Sequence, residues 1–501
     1  MSAAGTAGGE EQRRRPFFER EAAIREAMLA NRYLLITADT GAGKSTDLPR
    51  LAAGRVCVLQ VRRRACQELS DRVNKSAQGA HASGYSIGGE TCRDHARITF
   101  FTVQKFVPLF AAEARAYDTI IVDELHERTL EQELLLSLLK HRTSQLRANC
   151  RVVLTSATLG RTEDVVQYFG CPHIHVGCTP YEVSVEYAES HVRWRDLHTA
   201  AAAKAVEELT AAAATRCLVF APGEGDVDEV ADKISAAAPE GTKVMALKRG
   251  LLGELQDAMR PAKYPRLALV STNLLEVSYT VPDLACVVDM GYKKQLRYNH
   301  EEFVSVLEWC RVSKANATQR AGRTGRTCPG KAIRLWPAGD VLEDEELPIL
   351  RSDLFPLYMR LLAHGLPWSS LMTPPRRGSM HAAEEMAAAL GLVAADASGS
   401  YVLTDLGRIA LRTGLDARYA FAAIAAWQAY GEAFVLEAVV LAQESTADAV
   451  AEGGDAATRR GQTFLDLQQA MQRGTQRRSL HGCGRRCSVS AALCAQRPAR
   501  R

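Results

Sequence analysis

No apolar stretch in this chain approaches the ~20 residues needed to cross a bilayer. The N-terminus runs from small polar residues into Arg13-Arg14-Arg15 with no apolar core, so no secretory signal is expected. Net charge is nearly absent too, with 62 basic against 58 acidic residues and a balance of +4. That is too mild to imply a nucleic-acid partner, so any such inference has to rest on motifs. A cysteine framework is also missing. The thirteen cysteines are scattered, and Cys57, Cys217 and Cys286 sit inside apolar runs, as reduced thiols of an intracellular protein do. Acidic residues stop at Asp466. His481, Cys483, Cys487 and Cys494 have spacings that match no common zinc site. Residues 474–501 therefore read as a disordered basic tail, with a misread coding frame as the alternative.

What is present is ordinary globular composition, 47% hydrophobic and 24% charged over 501 residues, enough for two to four domains. Residues 1–15 read as a disordered tail, and a helical pattern runs from Pro16 to Asn31. Short apolar runs then alternate with helical segments: Leu34–Ile36, Val56–Leu59, Ile98–Phe101, Ile120–Val122 and Val152–Leu154. Such alternation predicts an α/β domain with a parallel sheet covered on both faces. Residues 16–180 form that first domain. The stretch from Cys171 to Tyr187, rich in Pro, Gly and Cys, reads as a linker. A second series (Leu218–Phe220, Leu267–Val270, Cys286–Val288, Ala332–Leu335) predicts a second α/β domain over 181–336. After Pro337 strands nearly vanish. Residues 347–410 read as helical with one short strand at Tyr401–Leu403, and 411–472 as Ala-rich helix.

Three segments carry chemistry. Strand residues Leu34–Thr37 lead to Thr40-Gly41-Ala42-Gly43-Lys44-Ser45-Thr46. A strand–loop–helix of this composition wraps phosphate oxygens in backbone N–H groups. Lys44 would reach the β- and γ-phosphates, and the Ser45 hydroxyl would ligate Mg²⁺. The first glycine usual in such loops is Ala38 here. Asp123 ends an apolar strand, where open sheets present their chemistry, and would hold Mg²⁺ through water. Glu124 would polarise the attacking water. Gln319, Arg320, Arg323 and Arg326 recur at helical spacing, with Gly322 and Gly325 permitting close approach. Arginines reaching a γ-phosphate can raise hydrolysis by ~10³–10⁵.

In this order the motifs resemble the DEAH-box helicases of superfamily 2, with Asp-Glu-Leu-His at 123–126. The resemblance runs from about Phe17 to about Leu467. Gln60–Ala65 resembles motif Ia with Val61 at its usual proline, and Phe101–Gln104 resembles motif Ib. Ser156-Ala157-Thr158 resembles motif III, Phe220–Gly223 motif IV, and Ser271–Glu276 motif V. The resemblance implies two RecA-like P-loop domains with a mostly helical winged-helix region (337–410) and a partial ratchet region (411–473). It implies catalytic roles for Lys44, Asp123, Glu124, His126, Gln319, Arg323 and Arg326. Arg62, Arg63, Thr102, Thr272 and Asn273 would grip the nucleic-acid backbone, contacts that give affinity without sequence readout. Ser156 and Thr158 would couple hydrolysis to movement. A strand-parting β-hairpin is expected in Tyr298–Val312.

Two departures bear on specificity. The base-stacking pair of the family becomes Arg72 and Met259, which predicts tolerance of several NTPs besides ATP. The family's C-terminal OB-fold has no room, so a G-patch type of activator is not expected. The implied activity is 3′-to-5′ RNA unwinding or RNP remodelling, driven by Mg²⁺·NTP hydrolysis, by a monomer that moves on single-stranded RNA and needs no membrane. The rivals are a DNA-directed helicase and a nucleotide-switched RNA scaffold. Localisation reads as intracellular, with nucleus and cytoplasm both open and the Arg runs favouring the nucleus.

Overall fold

The computed structural model describes residues 16–38, 42–76, 83–92, 96–157, 160–177, 181–211, 215–248, 263–276, 281–300, 302–414 and 416–430. Thr40, Gly41, Thr158, Met259, both terminal tails, residues 431–473 of the expected ratchet region and the His481–Cys494 cluster lie outside the described residues. Among the described residues no helix is long and apolar enough to cross a membrane.

Eight strands build the first sheet. They are β1 (Tyr33–Ala38), β2 (Val56–Gln60), β3 (Ser83–Ile87), β4 (Glu90–Cys92), β5 (Ile98–Thr102), β6 (Thr119–Val122), β7 (Arg151–Ser156) and β8 (His173–Val176). Their order is β4-β3-β5-β2-β6-β7-β1-β8. Every pairing is parallel except β3 with β4. The inner strands β2, β5 and β6 are buried at every residue. That is why their sequences are nearly unbroken apolar runs rather than alternating ones. One face of the sheet packs Phe17, Ile24, Ile36, Val58, Cys66 and Phe100 into a single core.

The second sheet uses β9 (Val183–Tyr187), β10 (Arg216–Phe220), β11 (Lys243–Leu247), β12 (Leu267–Ser271) and β13 (Leu284–Asp289). After the antiparallel pair β14 (Tyr292–Asn299) and β15 (Val304–Arg311), β16 (Gly330–Arg334) completes it. The order is β11-β12-β10-β13-β16-β9, all parallel. Apolar clusters cover both faces, one under Leu197, Val230 and Ile234 and the other under Leu218, Met245 and Leu269.

Two expectations are corrected. The stretch read as a linker contains β8, paired with β1, and β9, paired with β16. Both are edge strands whose polar side chains (His173, His175, Ser184, Glu186) reach solvent, so no apolar run announces them. The hairpin begins at Tyr292, six positions before its expected start, because Tyr292 and Lys293 pair as strand directly after the Gly291 turn (φ +80°).

Contacts divide the chain into two compact units. One comprises Met1–Arg128, Arg142–Gln295 and Glu308–Glu346, and holds both sheets. The other comprises Thr129–His141, Leu296–Leu307 and the chain from Leu347. In this second unit the helix Phe355–Ala363 packs on the helices Leu130–His141 and Arg377–Ala389. Val393–Ala395 and Tyr401–Leu403 pair antiparallel, and Arg418 bonds Asp353 at 2.5 Å.

Candidate active site

Parallel strands deliver their loops to one edge. Reading across β5-β2-β6-β7-β1, the C-terminal ends carry Thr102, Gln60–Arg62, Asp123–Glu124, Thr155–Ser156 and Ala38 with the P-loop. Residues far apart in sequence therefore meet along one edge of a single sheet.

Asp123 is the hub. Its Oδ2 accepts from Ser45 Oγ at 2.5 Å and from Gln60 Nε2 at 2.6 Å. Its Oδ1 accepts from the Thr155 hydroxyl and from the Glu124 N–H at 2.9 Å. A buried carboxylate held by four donors this way is fixed in orientation. The Ser45 hydroxyl beside the Asp123 carboxylate is a pair of hard oxygen donors, the chemistry that fits Mg²⁺. Lys44, also buried, donates to the Ala38 carbonyl at the mouth of the loop. Gly43 has φ +100°, and a Cβ there would stand 2.2 Å from Asp47 Oδ2, so only glycine closes this turn.

Glu124 and Arg128 both adopt left-handed backbone (φ 52° and 46°), bracketing the short turn Leu125–Glu127. Non-glycine residues there store on the order of 1 kcal/mol each. Burial, then the neighbouring Asp123, raises the Glu124 carboxyl to about 7. Burial, then Lys44, lowers His126 to about 4, so its ring is neutral at physiological pH. The Ala157 N–H donates to His126 Nδ1 at 3.4 Å, which leaves Nε2 as the protonated nitrogen, 3.3 Å from Glu124 Oε2. His126 thus links the candidate base to the Ser156-Ala157 turn.

In the second sheet's domain, Ser313 and Asn316 form a capping box that starts the helix Lys314–Ala321. Arg320 is fully buried, donating to Glu276 at 2.5 Å and Asp289 at 2.7 Å, with its guanidinium over the Phe220 ring. It anchors the helix rather than reaching for a ligand. Gly325 (φ +73°) turns the chain where a Cβ would meet Val183 at 2.3 Å. The turn presents Arg323 and Arg326, both of which feel the Glu124 charge. Burial lowers Arg323 to about 10, opposed by Glu124 and then Glu276. Burial, with Arg323 adding to it, lowers Arg326 well below the usual range. Gln319 is half-buried on the same helix and accepts at its backbone oxygen from Arg323.

The remaining candidates spread out. Thr46 is half-buried beside Gly43. Arg62 pairs with Glu127 at 3.3 Å, and Arg63 donates to the Gly88 carbonyl at 2.7 Å. Thr102 is buried at the start of the helix Val103–Glu113. Thr272 caps the turn Asn273–Leu275, and Asn273 is exposed. Arg72 is exposed on the helix Arg63–Ser76. Sequence reasoning missed Gln60 and Thr155 as partners of Asp123, and Arg320 as an anchor. Gln60 adjoins a recognised motif, but no local signal reveals where its side chain points.

Residues 201–328 match the helicase conserved C-terminal domain. The chain is 29% identical over 446 residues to the ATP-dependent RNA helicase DHX33 of Drosophila melanogaster, covering 82% of itself and 63% of that protein. It is 28% identical over 433 residues to the ATP-dependent RNA helicase HrpA of Escherichia coli, covering 81% of itself and 33% of that protein. It is 31% identical over 399 residues to the probable ATP-dependent RNA helicase DHX35 of Pongo abelii, covering 72% of itself and 55% of that protein. The chain thus spans between a third and just under two thirds of these relatives. The crystal structure of the E. coli DExH-box NTPase HrpB matches with TM-score 0.72 and 26% identity, over 82% of this chain and 53% of that one. A second HrpB structure, of the E. coli DEAH/RHA helicase, shares the fold with TM-score 0.76 over 91% of this chain and 60% of that one. With two RecA-like sheets and the motifs ordered along their edges, the chain is similar in sequence and in fold to the DExH-box helicases.

Proposed function

We propose that this chain is an ATP-dependent RNA helicase that couples Mg²⁺·NTP hydrolysis to 3′-to-5′ movement on single-stranded RNA. The observation that carries it is Asp123, held by Ser45 of the P-loop and by Gln60 of the candidate RNA-gripping segment. One carboxylate therefore joins the nucleotide end of the edge to the nucleic-acid end. Ser45 and Asp123 would hold Mg²⁺, which when bound neutralises charge on the β- and γ-phosphates. Lys44 would exchange the Ala38 carbonyl for phosphate oxygen. Glu124, raised to about 7, is tuned to take a proton from the attacking water. Gln319 would orient that water, while Arg323 and Arg326 stabilise developing charge. Arg62, Arg63, Thr102, Thr272 and Asn273 would bind phosphate and sugar.

The names of the relatives support RNA over DNA. Arg72 and Met259 as the base-stacking pair support use of NTPs beyond ATP. The chain would act as a monomer inside the cell, with its Arg runs favouring the nucleus over the cytoplasm. Hydrolysis by the purified chain, measured alone, with single-stranded RNA and with DNA, tests the reading. Stimulation by RNA is expected. Turnover indifferent to both polymers would instead leave a nucleotide switch.

A further inference from the structure

Two indoles stand half in solvent beside the second sheet, Trp194 at 45% exposure and Trp309 at 43%. They are not loose. Their rings meet edge-to-face at 4.6 Å, and Trp194 also meets Tyr292 edge-to-face at 5.1 Å. The Lys294 ammonium lies 4.6 Å over the Trp309 ring. Gly223 makes room for that lysine, since a Cβ there would stand 2.7 Å from both its Cε and its Nζ. Exposed Arg193 and Arg195 flank Trp194 in sequence, Arg195 with the exposed Asp196 at 3.7 Å. Rigid exposed aromatics interleaved with cations are the surface on which single-stranded nucleic acid stacks its bases and sets its phosphates.

Topology puts this surface in line with the motor. In the order β11-β12-β10-β13-β16-β9, Thr272 follows β12, Gly223 follows β10, and Trp194 follows β9, all beyond C-terminal strand ends. The four strand spacings from β12 to β9 span roughly 19 Å.

We infer that Trp194 and Trp309 form a stacking platform for single-stranded RNA, with Arg193, Arg195 and Lys294 holding its phosphates. A strand leaving Thr272–Asn273 would run along the sheet edge onto it. The inference rests on the nucleic-acid motor reading above.

The test is anisotropy of a labelled oligouridine, and of the same oligomer with abasic positions, against the full chain. Wild-type protein is compared with Trp194→Ala, Trp309→Ala and Trp194→Phe, with melting temperature as the check on folding. Trp194→Ala and Trp309→Ala should bind oligouridine roughly tenfold more weakly. Trp194→Phe should stay near wild type, and all should bind the abasic oligomer alike. An Arg193→Gln/Arg195→Gln double variant, which leaves the rings in place, should flatten the salt dependence of log affinity by about 1.4. Wild-type affinity in both Ala variants, or an equal loss on the abasic oligomer, overturns the platform and assigns the indoles to a protein contact. A wild-type chain that binds no oligouridine overturns the motor reading along with it.

Discussion

Ser45 Oγ donates to Asp123 Oδ2 at 2.5 Å although 78 positions separate them in the sequence. The bond joins the P-loop to the strand carrying the acidic pair, and the third partner, Gln60, brings in the segment that continues to Arg62. Substitutions around this hub should therefore separate into effects on hydrolysis, on coupling and on folding.

Lys44→Ala should cut NTP hydrolysis by at least about a hundredfold, the scale for removing one donor to developing phosphate charge. Lys44 is not part of an apolar core cluster, so the melting temperature should hold. Turnover near wild type would remove the P-loop assignment.

The arginines of one helix and its turn should behave in opposite ways. Arg320→Ala strands Glu276 and Asp289 as buried carboxylates and should destabilise the chain by about 3–5 kcal/mol. Arg326→Ala should leave melting and NTP binding close to wild type while hydrolysis falls by ~10³ or more. Thermal melts and steady-state rates on both variants check this, and equal destabilisation by the two would contradict it.

Glu124 gives a prediction in pH. Its folded pKa is raised to about 7, above its ordinary value, so the folded state holds the proton more tightly than the unfolded. That contribution is fully present below the unfolded pKa and is lost as pH rises through about 7. Glu124→Gln mimics the protonated form and keeps the contribution. It should melt higher than wild type at pH 8, by on the order of 3 kcal/mol, and converge with it near pH 5. The same variant should be inactive at both. Melting curves of the nucleotide-free proteins that stay parallel from pH 5 to 8 would refute the burial of this carboxyl.

His126 bridges Glu124 and the Ala157 N–H. His126→Ala should spare nucleotide binding and lower RNA-stimulated turnover toward the RNA-free rate. Burial already holds the ring neutral, so its charge does not change between pH 5 and 8. Full RNA stimulation in the variant would show that the bridge carries no coupling.

Local sequence determined a great deal here. Unbroken apolar runs such as Val56–Leu59 and Ile120–Val122, short and rich in β-branched residues, read as strands buried on both faces, and both are. Gly43 and Gly325 stand out in their short motifs as the residues that allow close approach, although the atoms that fill the space beside them, from Asp47 and Val183, are known only from the structure. The order of P-loop, acidic pair and arginines was readable because each motif is a short stretch with its own chemistry.

Only the tertiary structure decided what depends on sheet order. Strands β8 and β9 were hidden in an apparent linker, because edge strands keep polar side chains and gain their stability from a neighbour rather than from their own pattern. Whether an arginine is an anchor or a finger cannot be read from its spacing. Arg320 and Arg323 share a motif, yet Arg320 turns onto Glu276 and Asp289, which arrive from other segments. The same holds for Gln60 and Thr155 on Asp123, and for Trp194 against Trp309. Such pairs are set by which strands lie side by side, and strand neighbours are chosen by the packing of the whole sheet.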